Sequence, residues 1–413
     1  MRIALLTLGT YGDVLPFAIL GKELKKRGHE VVISSAKNYA SLIQSFGLTF
    51  SPIEVDYQEL LKSDHGKKLL KANLFAIRKN LNTLIYPLIE HSLSKFYSLA
   101  KQSDKVIYHV KTMADAFSDQ FPEKMIRAML VPAVQPTKDF PNPAFAGFHI
   151  PTFLNKASYK LTDLSIQMLS KPIKNFRKHN ELSEKYRKVE TPFIYGVSPS
   201  FLSKPDDYPN QSFFTGFWFS DSTTNIDNDL NDFLQSGEPP IVITFGSMPF
   251  KTKAKLTDLL NSLTSELGIR LVVIKGWGID DLTGVEKNNN IKIIHSAPYD
   301  KLFPNVKAVV HHGGLGTTAE CLRAGKPMLI CPVLHPVGDQ YFWGNLAYRK
   351  GIAVKPLPVN SLNNQNIINR VAELINNNSL YEKSRLLSLQ VLKENGIGNA
   401  IKIIEDYDNK YYV

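Results

Sequence analysis

The stretch of this chain best suited to hold a charged ligand is a glycine-rich turn at residues 311–318, which reads His-His-Gly-Gly-Leu-Gly-Thr-Thr. It follows the apolar pair Val309-Val310 and precedes a helical pattern. The free backbone N–H groups at the start of a helix bind anions, and glycine lets the backbone approach a phosphate closely. The turn therefore predicts a phosphate site composed of His311, His312, Gly313, Gly314, Gly316 and Thr317.

A tight turn without a ligand is the plain alternative, because glycine loops are common. The spacing matches neither the dinucleotide pattern G-x-G-x-x-G nor the phosphate loop that ends in Gly-Lys-Ser/Thr. The position of the turn, late in the chain, also disfavours a dehydrogenase, whose glycine loop usually opens the fold.

Two acidic residues follow predicted strands and are candidates for chemistry. Asp13 follows Gly12 on the first strand–helix turn, where a carboxylate can accept the proton of a hydroxyl group. Asp339-Gln340 opens a helix, where a carboxylate and an amide offer hydrogen-bond acceptors and donors in fixed geometry. For both acids the alternative is a helix cap. His109, at the end of a predicted strand, is a candidate partner of the base, with a purely structural histidine as the alternative.

The elements that must position these residues form a repeating β-α pattern in the first half of the chain. We expect strand 2–8, turn Gly9–Pro16, helix Phe17–Arg27 and strand Val31–Ser34, which together make a parallel β-α-β unit. Further strands are predicted at Lys105–Val110, Met129–Val131 and Phe193–Val197, with a helical insertion at 57–101.

The pattern starts afresh after the polar segment Asp221–Pro240, which has the composition of a linker. Its Asp227-Asn228-Asp229 has the spacing of a metal-binding Asp-x-Asp motif, but no apolar strand precedes it, so we interpret it as a solvated turn. The predicted strands of the second half are Ile241–Phe245, Arg270–Ile274, Ile291–Ile294, Ala308–His311 and Met328–Cys331, and the helices are Leu256–Leu267, Tyr299–Phe303, Thr317–Arg323 and Asp339–Lys350.

These patterns predict an α/β protein with two Rossmann-like, doubly wound domains facing across a cleft. Ligands of such sheets bind at the carboxyl ends of the strands. We expect domains at 1–216 and 241–388, a linker at 217–240, and a C-terminal helical segment, 389–413, that packs back on the first domain.

Charge and cysteine content narrow the class of protein. The 413 residues carry a formal net charge of +11, with lysines concentrated between Lys62 and Lys111 and between Lys156 and Lys188. No nucleic-acid motif accompanies the charge, so we expect no nucleic-acid partner. The basic helical stretches suit either a solvated face or an anionic membrane surface. Cys321 and Cys331 lie in apolar runs, and no leader pattern opens the chain, so we expect core thiols and a cytoplasmic protein, with peripheral membrane association left open.

Four blocks of the sequence resemble the UDP-glycosyltransferases of GT-B fold, glycosyltransferase family 1. The block that resembles the family's donor-binding region is VVHHGGLGTTAECLRAGKPMLICPVLHPVGDQYFWGNLAYRKGIAV at 309–354 of this chain. The block that resembles the family's N-terminal acceptor-side motif is TLGTYGDVLPFAILGKELKKRGHEV at 7–31. The segments TGFWF and IVITFGSMP resemble the family's entry to the second domain, and APYDKLFP at 297–304 resembles its turn that holds the nucleotide base. Within the family, the sterol glucosyltransferases and the glucosyltransferases of glycopeptide-antibiotic assembly are most similar.

The resemblance implies roles for individual residues. Asp13 would be the general base, His311 and the amides of Gly313–Thr317 would stabilise the leaving diphosphate, and Asp339-Gln340 would bind the sugar. Plant-type members carry a ribose-binding glutamate where we place Ala319 in this chain, with Glu320 one position later. The remaining donor-side residues implied by the resemblance are Thr10, Gly12, Ser247, Trp277 and the backbone around Ala297.

The implied reaction is metal-independent, inverting transfer of a hexose, glucose by preference, from UDP- or TDP-sugar to a hydroxyl of a hydrophobic acceptor such as a sterol, polyketide or flavonoid. No cofactor is expected beyond the donor substrate, and the protein would be a monomer or homodimer. The alternatives are a nucleotide-sugar 2-epimerase, a lipid glycosyltransferase acting at the membrane surface, and a non-enzymatic nucleotide-sugar binder.

Overall fold

A computed structural model of the chain describes residues 1–55, 85–167, 169–184, 189–246, 256–276, 282, 285 and 288–407. Within these ranges the first domain contains a seven-stranded parallel sheet in the order β3-β2-β1-β4-β5-β6-β7. Its strands are β1 Arg2–Leu6, β2 Glu30–Ala36, β3 Thr49–Ile53, β4 Lys105–Tyr108, β5 Met125–Met129, β6 Phe193–Tyr195 and β7 Ser212–Phe214.

The second domain contains a five-stranded parallel sheet in the order β10-β9-β8-β11-β12. Its strands are β8 Ile241–Thr244, β9 Leu271–Ile274, β10 Ile291–Ile294, β11 Ala308–His311 and β12 Met328–Ile330. The prediction of two doubly wound α/β domains is confirmed. In both sheets the central strands are buried apolar runs, as expected of parallel strands covered by helices on both faces.

Fourteen α-helices lie in the described residues. They are α1 Tyr11–Lys26, α2 Ala40–Ser45, α3 Tyr86–Lys101, α4 Asn155–Ser158, α5 Lys160–Gln167, α6 Ser170–His179, α7 Asn228–Gln235, α8 Leu256–Leu267, α9 Tyr299–Leu302, α10 Leu315–Arg323, α11 Gln340–Arg349, α12 Asn364–Asn376, α13 Asn378–Val391 and α14 Gly396–Asp406. Of the predicted insertion at 57–101, residues 57–84 lie outside the described residues.

The first helix begins six residues earlier than predicted. The sequence suggested a turn up to Pro16, but α1 starts at Tyr11 with a capping box between Thr10 and Asp13. Proline inside a helix removes one hydrogen bond, and here the reciprocal hydrogen bonds of the box stabilise the helix start in spite of that loss.

Strands β3 and β7 and helices α12 and α13 have no counterpart among the predicted elements, and two further differences have a clear physical reason. Strand β5 was expected at Met129–Val131 but spans Met125–Met129, because the polar Arg127 in its centre hides the strand from a hydrophobicity pattern. The Arg127 guanidinium is buried and pairs with Asp115, Nε to Oδ1 at 3.0 Å. The polar segment before the second domain contains helix α7, and Asp227 is its N-cap, accepting a hydrogen bond from the Leu230 N–H at 2.7 Å.

The two domains share a hydrophobic core cluster. Aromatic residues of the first domain pack on helix α11 of the second, with the rings of Phe201 and Trp343 stacked at 6.0 Å and those of Phe140 and Phe342 tilted at 5.2 Å. Helix α14 returns to the first domain, where Ile401 and Ile404 are buried beside α1. No helix in the described part of the chain combines the length and apolarity needed to cross a membrane.

Candidate active site

The N-terminus of α10 has the geometry of an anion site. The sequence suggested a helix from Thr317, but the helix begins at Leu315 with Gly314 as its N-cap. The first amide bonded along the helix is that of Thr318, which donates to the Gly314 carbonyl at 3.0 Å. The N–H groups of Leu315, Gly316 and Thr317 therefore have no acceptor within their own helix and suit a phosphate.

Two glycines of this turn have different reasons to be glycine. Gly313 has φ +91°, and a Cβ there would lie 2.7 Å from Cγ2 of Ile330, so this glycine permits the close packing of the turn. At Gly316 an added Cβ would meet nothing within 4 Å, and the residue is exposed. Space for a ligand is thus left above the second residue of the helix.

The two histidines before the turn differ in their surroundings. His311 is fully buried, and its Nδ1 accepts the Gly313 N–H at 3.2 Å. Burial, with a further effect of His312, lowers the pKa of His311 well below its ordinary value, so the ring is neutral and carries its proton on Nε2. Among the described residues this Nε2 has no hydrogen-bond partner.

The ring of His312 lies between two glycine turns. An added Cβ would lie 2.9 Å from its Cε1 if placed on Gly246, after β8, and 2.5 Å from its Nε2 if placed on Gly314. Burial lowers the pKa of His312 to about 4, so this ring is also neutral. Its contacts place it, more directly than His311, between the turn after β8 and the start of α10. Ser247, predicted on the first of these turns, lies outside the described residues.

Helix α11 presents the two residues predicted to bind the sugar. Asp339 accepts a hydrogen bond from the Trp343 indole N–H at 3.0 Å, and burial raises the pKa of this carboxyl above its ordinary value. The Gln340 side chain is buried, and its Oε1 accepts the N–H groups of Val333 and Leu334 at 2.7 and 2.9 Å. Its oxygen therefore holds the loop after β12, and the contact left for a sugar is the amide NH₂.

On the first domain, the Asp13 carboxylate lies over the turn between β1 and α1. Its Oδ2 accepts hydrogen bonds from the Thr10 N–H at 2.8 Å and the Thr10 hydroxyl at 3.2 Å. Gly9 has φ +141°, and a Cβ there would lie 2.1 Å from Oδ2, so only glycine leaves room for the carboxylate. Asp13 is 9% exposed, and Gly12 beside it is exposed.

Lys111 is the site residue that the sequence reasoning missed. Its Nζ donates to Oδ1 of Asp13 at 2.6 Å from the 3₁₀ turn that follows β4. Burial acts to raise the pKa of Asp13, but the charge of Lys111, together with His109 and Thr10, brings it below its ordinary value. The charge of Lys111 also acts to lower the pKa of Asp339. One ammonium group thus lies in the field of two carboxylates, one from each domain. Its position two residues after His109 was the signal in the sequence.

His109 contacts the turn that carries Lys111. Its Nδ1 accepts the Lys111 N–H at 3.2 Å, and its ring packs edge-on against Phe17. Burial, followed by the charge of Lys111, lowers the pKa of His109 to about 4. Among the described residues no hydrogen bond joins the His109 ring to Asp13. The predicted partner of the base therefore positions the turn that carries Lys111.

Of the residues predicted to hold the nucleoside, only some lie in the described part of the chain. Trp277 lies outside the described residues, and Ala297 is partly buried in the loop before α9. Ala319 packs into the core, whereas Glu320 keeps an Oε2 with no hydrogen-bond partner in the described part of the chain. Burial raises the pKa of Glu320 to about 7, although Arg323 opposes the shift. Oε2 of Glu320 lies 3.8 Å from Nη1 of Arg323, so the carboxyl group in this region belongs to Glu320 and not to the neighbouring position of Ala319.

Comparison with known families finds two matches, one near the start of the chain and one over much of its second half. Residues 3–109 match the family "Glycosyltransferase family 28 N-terminal domain", and residues 199–395 match "UDP-glucoronosyl and UDP-glucosyl transferase". The two matches cover the turn that carries Asp13 and the turn and helix that carry His312 and Asp339.

Two curated relatives align with nearly the whole chain. A sterol 3-beta-glucosyltransferase of Sclerotinia sclerotiorum is 29% identical over 98% of this chain, which spans 29% of the length of that relative. The O-mycaminosyltylonolide 6-deoxyallosyltransferase of Streptomyces fradiae is 28% identical over 98% of this chain and 97% of the relative.

Solved structures share the fold at low identity. The glycotransferase of kitacinnamycin superimposes with a TM-score of 0.73 at 16% identity, covering 98% of this chain and 99% of that one. The glycosyltransferase VinC, in complex with DTDP, superimposes with a TM-score of 0.66 at 17% identity, covering 98% and 99%.

Proposed function

We propose that this chain, a glycosyltransferase of GT-B fold, moves a hexose from a nucleoside diphosphate sugar to a hydroxyl group of a hydrophobic small molecule, with inversion at the anomeric carbon. The observation that carries the proposal is the Asp13 carboxylate at the start of α1, which Lys111 contacts at 2.6 Å. The charges of Lys111 and Asp13 both act on the pKa of Asp339 in the second domain, which supports a hydroxyl-activating group and a sugar-binding group near one another.

Asp13 is the proposed base. A carboxylate has about four lone-pair sites, and the Lys111 ammonium and the two Thr10 donors use three, so one is left for an acceptor hydroxyl. As that hydroxyl oxygen bonds to the anomeric carbon, its proton passes to Asp13 and the bond from the carbon to the diphosphate oxygen breaks.

The leaving diphosphate gains negative charge at the start of α10. The amides of Leu315, Gly316 and Thr317, with the helix dipole, stabilise that charge, so the reaction as proposed requires no metal. His312 adds a donor from its neutral ring. Glu320 would accept a ribose hydroxyl, a contact that favours UDP, which has both ribose hydroxyls, over TDP, which lacks the 2′-hydroxyl.

The similar sequences and the similar solved structures indicate which substrates to test first. The curated relatives include sterol glucosyltransferases and a transferase acting on an antibiotic, and VinC was solved with DTDP. We propose UDP-glucose as the donor and a sterol or polyketide-like molecule as the acceptor.

The test is a mass-spectrometric screen of UDP- and TDP-hexoses against pooled sterols, polyketides and flavonoids. The expected result is an acceptor heavier by one hexose, with UDP-glucose the best donor and activity retained in excess chelator. Conversion of the donor sugar without an acceptor would instead identify an epimerase. Donor binding with no product in any pool would contradict the proposal and indicate a silent binding protein.

A further inference from the structure

The first domain carries an exposed apolar surface at the mouth of the cleft. It lies at residues 148–161 and is called here the apolar ledge; its outward side chains are Phe148, Phe153, Leu154 and Leu161. Phe153 is 83% exposed and each of the others at least 40%. Contiguous apolar side chains on a soluble surface mark a site of interaction.

The ledge is held rigidly from below. The Asn142 N–H donates to the Ser158 hydroxyl at 2.8 Å, and the Asn142 side-chain amide donates to the Thr162 hydroxyl at 2.8 Å. The Asn155 side-chain amide donates to the Lys138 carbonyl at 2.7 Å, and Tyr159 is buried in the core. Asn155, Ser158 and Tyr159 of this segment therefore face inward, while Phe153, Leu154 and Leu161 are exposed on the backbone that these contacts hold.

The ledge adjoins the sugar-binding side of the cleft. The Gly338 N–H donates to the Ala144 carbonyl at 2.8 Å, and an added Cβ on Gly147 would lie 2.4 Å from the carbonyl oxygen of Pro336. The loop that makes these contacts leads directly into Asp339. A molecule leaving the ledge would thus enter the cleft beside the proposed reacting groups.

The segment that contains and follows the ledge is basic, while on its buried side the pKa of Tyr159 is raised by burial and, more weakly, by the nearby Asp207 and Asp139. Between 143 and 180 the sequence has a single acidic residue, Asp163, whereas five lysines of this stretch are exposed: Lys156, Lys160, Lys171, Lys174 and Lys178. Lys156 also pairs with Asp207 at 2.8 Å. Protein–protein interfaces are depleted in lysine, whereas phenylalanine and leucine flanked by lysines are typical of surfaces that insert shallowly into lipid.

We propose that the apolar ledge docks on an anionic membrane surface, with Phe153 and Leu154 among the upper acyl chains and the lysines at the headgroups. The mouth of the cleft then lies at the bilayer that dissolves a hydrophobic acceptor. This last step rests on the proposed function, whereas docking itself does not.

The test is co-sedimentation of the full chain with vesicles of phosphatidylcholine alone or mixed with phosphatidylserine. We expect binding to the mixed vesicles that weakens as salt is raised. The double variant Phe153→Ser/Leu154→Ser should lower the partition coefficient at least about tenfold, because two apolar side chains leave the interface. The matched control is Leu386→Ser/Leu389→Ser on α13, where two equally exposed leucines lie among mixed charges; it should bind as the parent does.

Transfer to a water-soluble hydroxylated acceptor separates the two proposals. The ledge variant should retain this activity while losing the vesicles. Absence of vesicle binding by the parent chain, or equal binding by the ledge variant, would overturn the docking proposal even if transfer is observed. Loss of soluble transfer in the ledge variant would show a wall of the acceptor site instead. Vesicle binding without transfer to any acceptor would sink the proposed function and leave docking intact.

Discussion

At the level of single residues, Asp13 is held from three directions. Thr10 donates twice to Oδ2, Lys111 donates to Oδ1, and Gly9 leaves the space that Oδ2 occupies. Asp13 does cap its own helix, as the alternative interpretation of the sequence held, and the lone pair left on its carboxylate keeps it available to a substrate. Capping and proton transfer are compatible here.

Replacing Asp13 with Asn tests the proposed base. Asn keeps an oxygen for the Thr10 N–H, so the helix start should remain intact, but an amide does not take up the proton. We expect kcat to fall by about 10²–10⁴-fold. Calorimetric titration with UDP should give a Kd close to that of the parent chain. Transfer at the parental rate would exclude Asp13 as the base.

Replacing Lys111 with Met tests its effect on the base. Burial alone would raise the pKa of Asp13, and Lys111, followed by His109, brings it below its ordinary value. The pKa of Asp339 in the second domain is raised by burial and, as a smaller effect, by Asp13, while Lys111 acts to lower it. Because the ionised carboxylate is the active form, activity is lost as pH falls through this pKa. The variant should therefore lose activity at a higher pH.

The pH profile of kcat/KM measures this shift, with Lys111→Arg as the charge-retaining control. The control should keep the acidic limb near its parental position. An acidic limb that stays in place in the Met variant would show that Lys111 has no electrostatic role.

At the level of elements, the start of α10 contains two glycines whose replacement should affect different properties, ligand binding in one case and stability in the other. Gly316 is a helical glycine with open space beside it, whereas Gly313 has a positive φ and neighbours in close contact. The fold therefore requires glycine at 313 but not at 316, where the open space fits the proposed approach of a ligand.

Gly316→Ala should raise the free energy of unfolding by up to about 1 kcal/mol, because alanine favours the helix. The added methyl group would stand where the diphosphate approaches, so the Kd for UDP should rise. Gly313→Ala, the contrasting variant, should lower the free energy of unfolding by about 1–3 kcal/mol through its backbone and packing strain. Urea unfolding and UDP titration measure both quantities. Unchanged UDP affinity in Gly316→Ala would place the phosphate elsewhere.

The sequence predicted those elements best whose pattern is local. The bounds of α8, β10 and β11 agree with the predictions, because each is a continuous or periodic apolar run between polar residues. Strand β5 was misplaced because the polar Arg127 in its centre interrupts the apolar pattern. Lys111 was missed because its contact with Asp13 spans 98 positions. The turn at 311–318 was found because it is local, whereas the contact of the His312 ring with Gly246, in the turn after β8, joins residues far apart in the sequence.

At the level of the whole molecule, the chain crosses between its domains more than once. Helix α14 follows the second domain but buries Ala400, Ile401 and Ile404 against the first. The Glu405 carboxylate pairs with Arg27 at 2.9 Å and with the His29 ring at 3.0 Å, on the far end of α1 from Asp13. The helix that carries the proposed base is thus braced by the end of the chain.

Ile404→Ala should destabilise the first domain by about 2–5 kcal/mol, because it opens a cavity in a fully buried cluster. UDP affinity, which depends on the second domain, should change little in buffer without denaturant. The exposed Lys402→Ala is the matched control. Urea unfolding followed by tryptophan fluorescence gives the measurement, and parental stability of Ile404→Ala would show that α14 does not brace α1.

The capping box at the start of α1 has a consequence for the rate of turnover. A flexible carboxylate must lose rotational freedom each time it meets a substrate. The Asp13 carboxylate is instead immobilised by the same hydrogen bonds that begin its helix, so that freedom is lost once, when the chain folds. Folding, not substrate binding, therefore supplies the entropy reduction that aligns the proposed base, and the first turn of α1 holds its carboxylate preorganised.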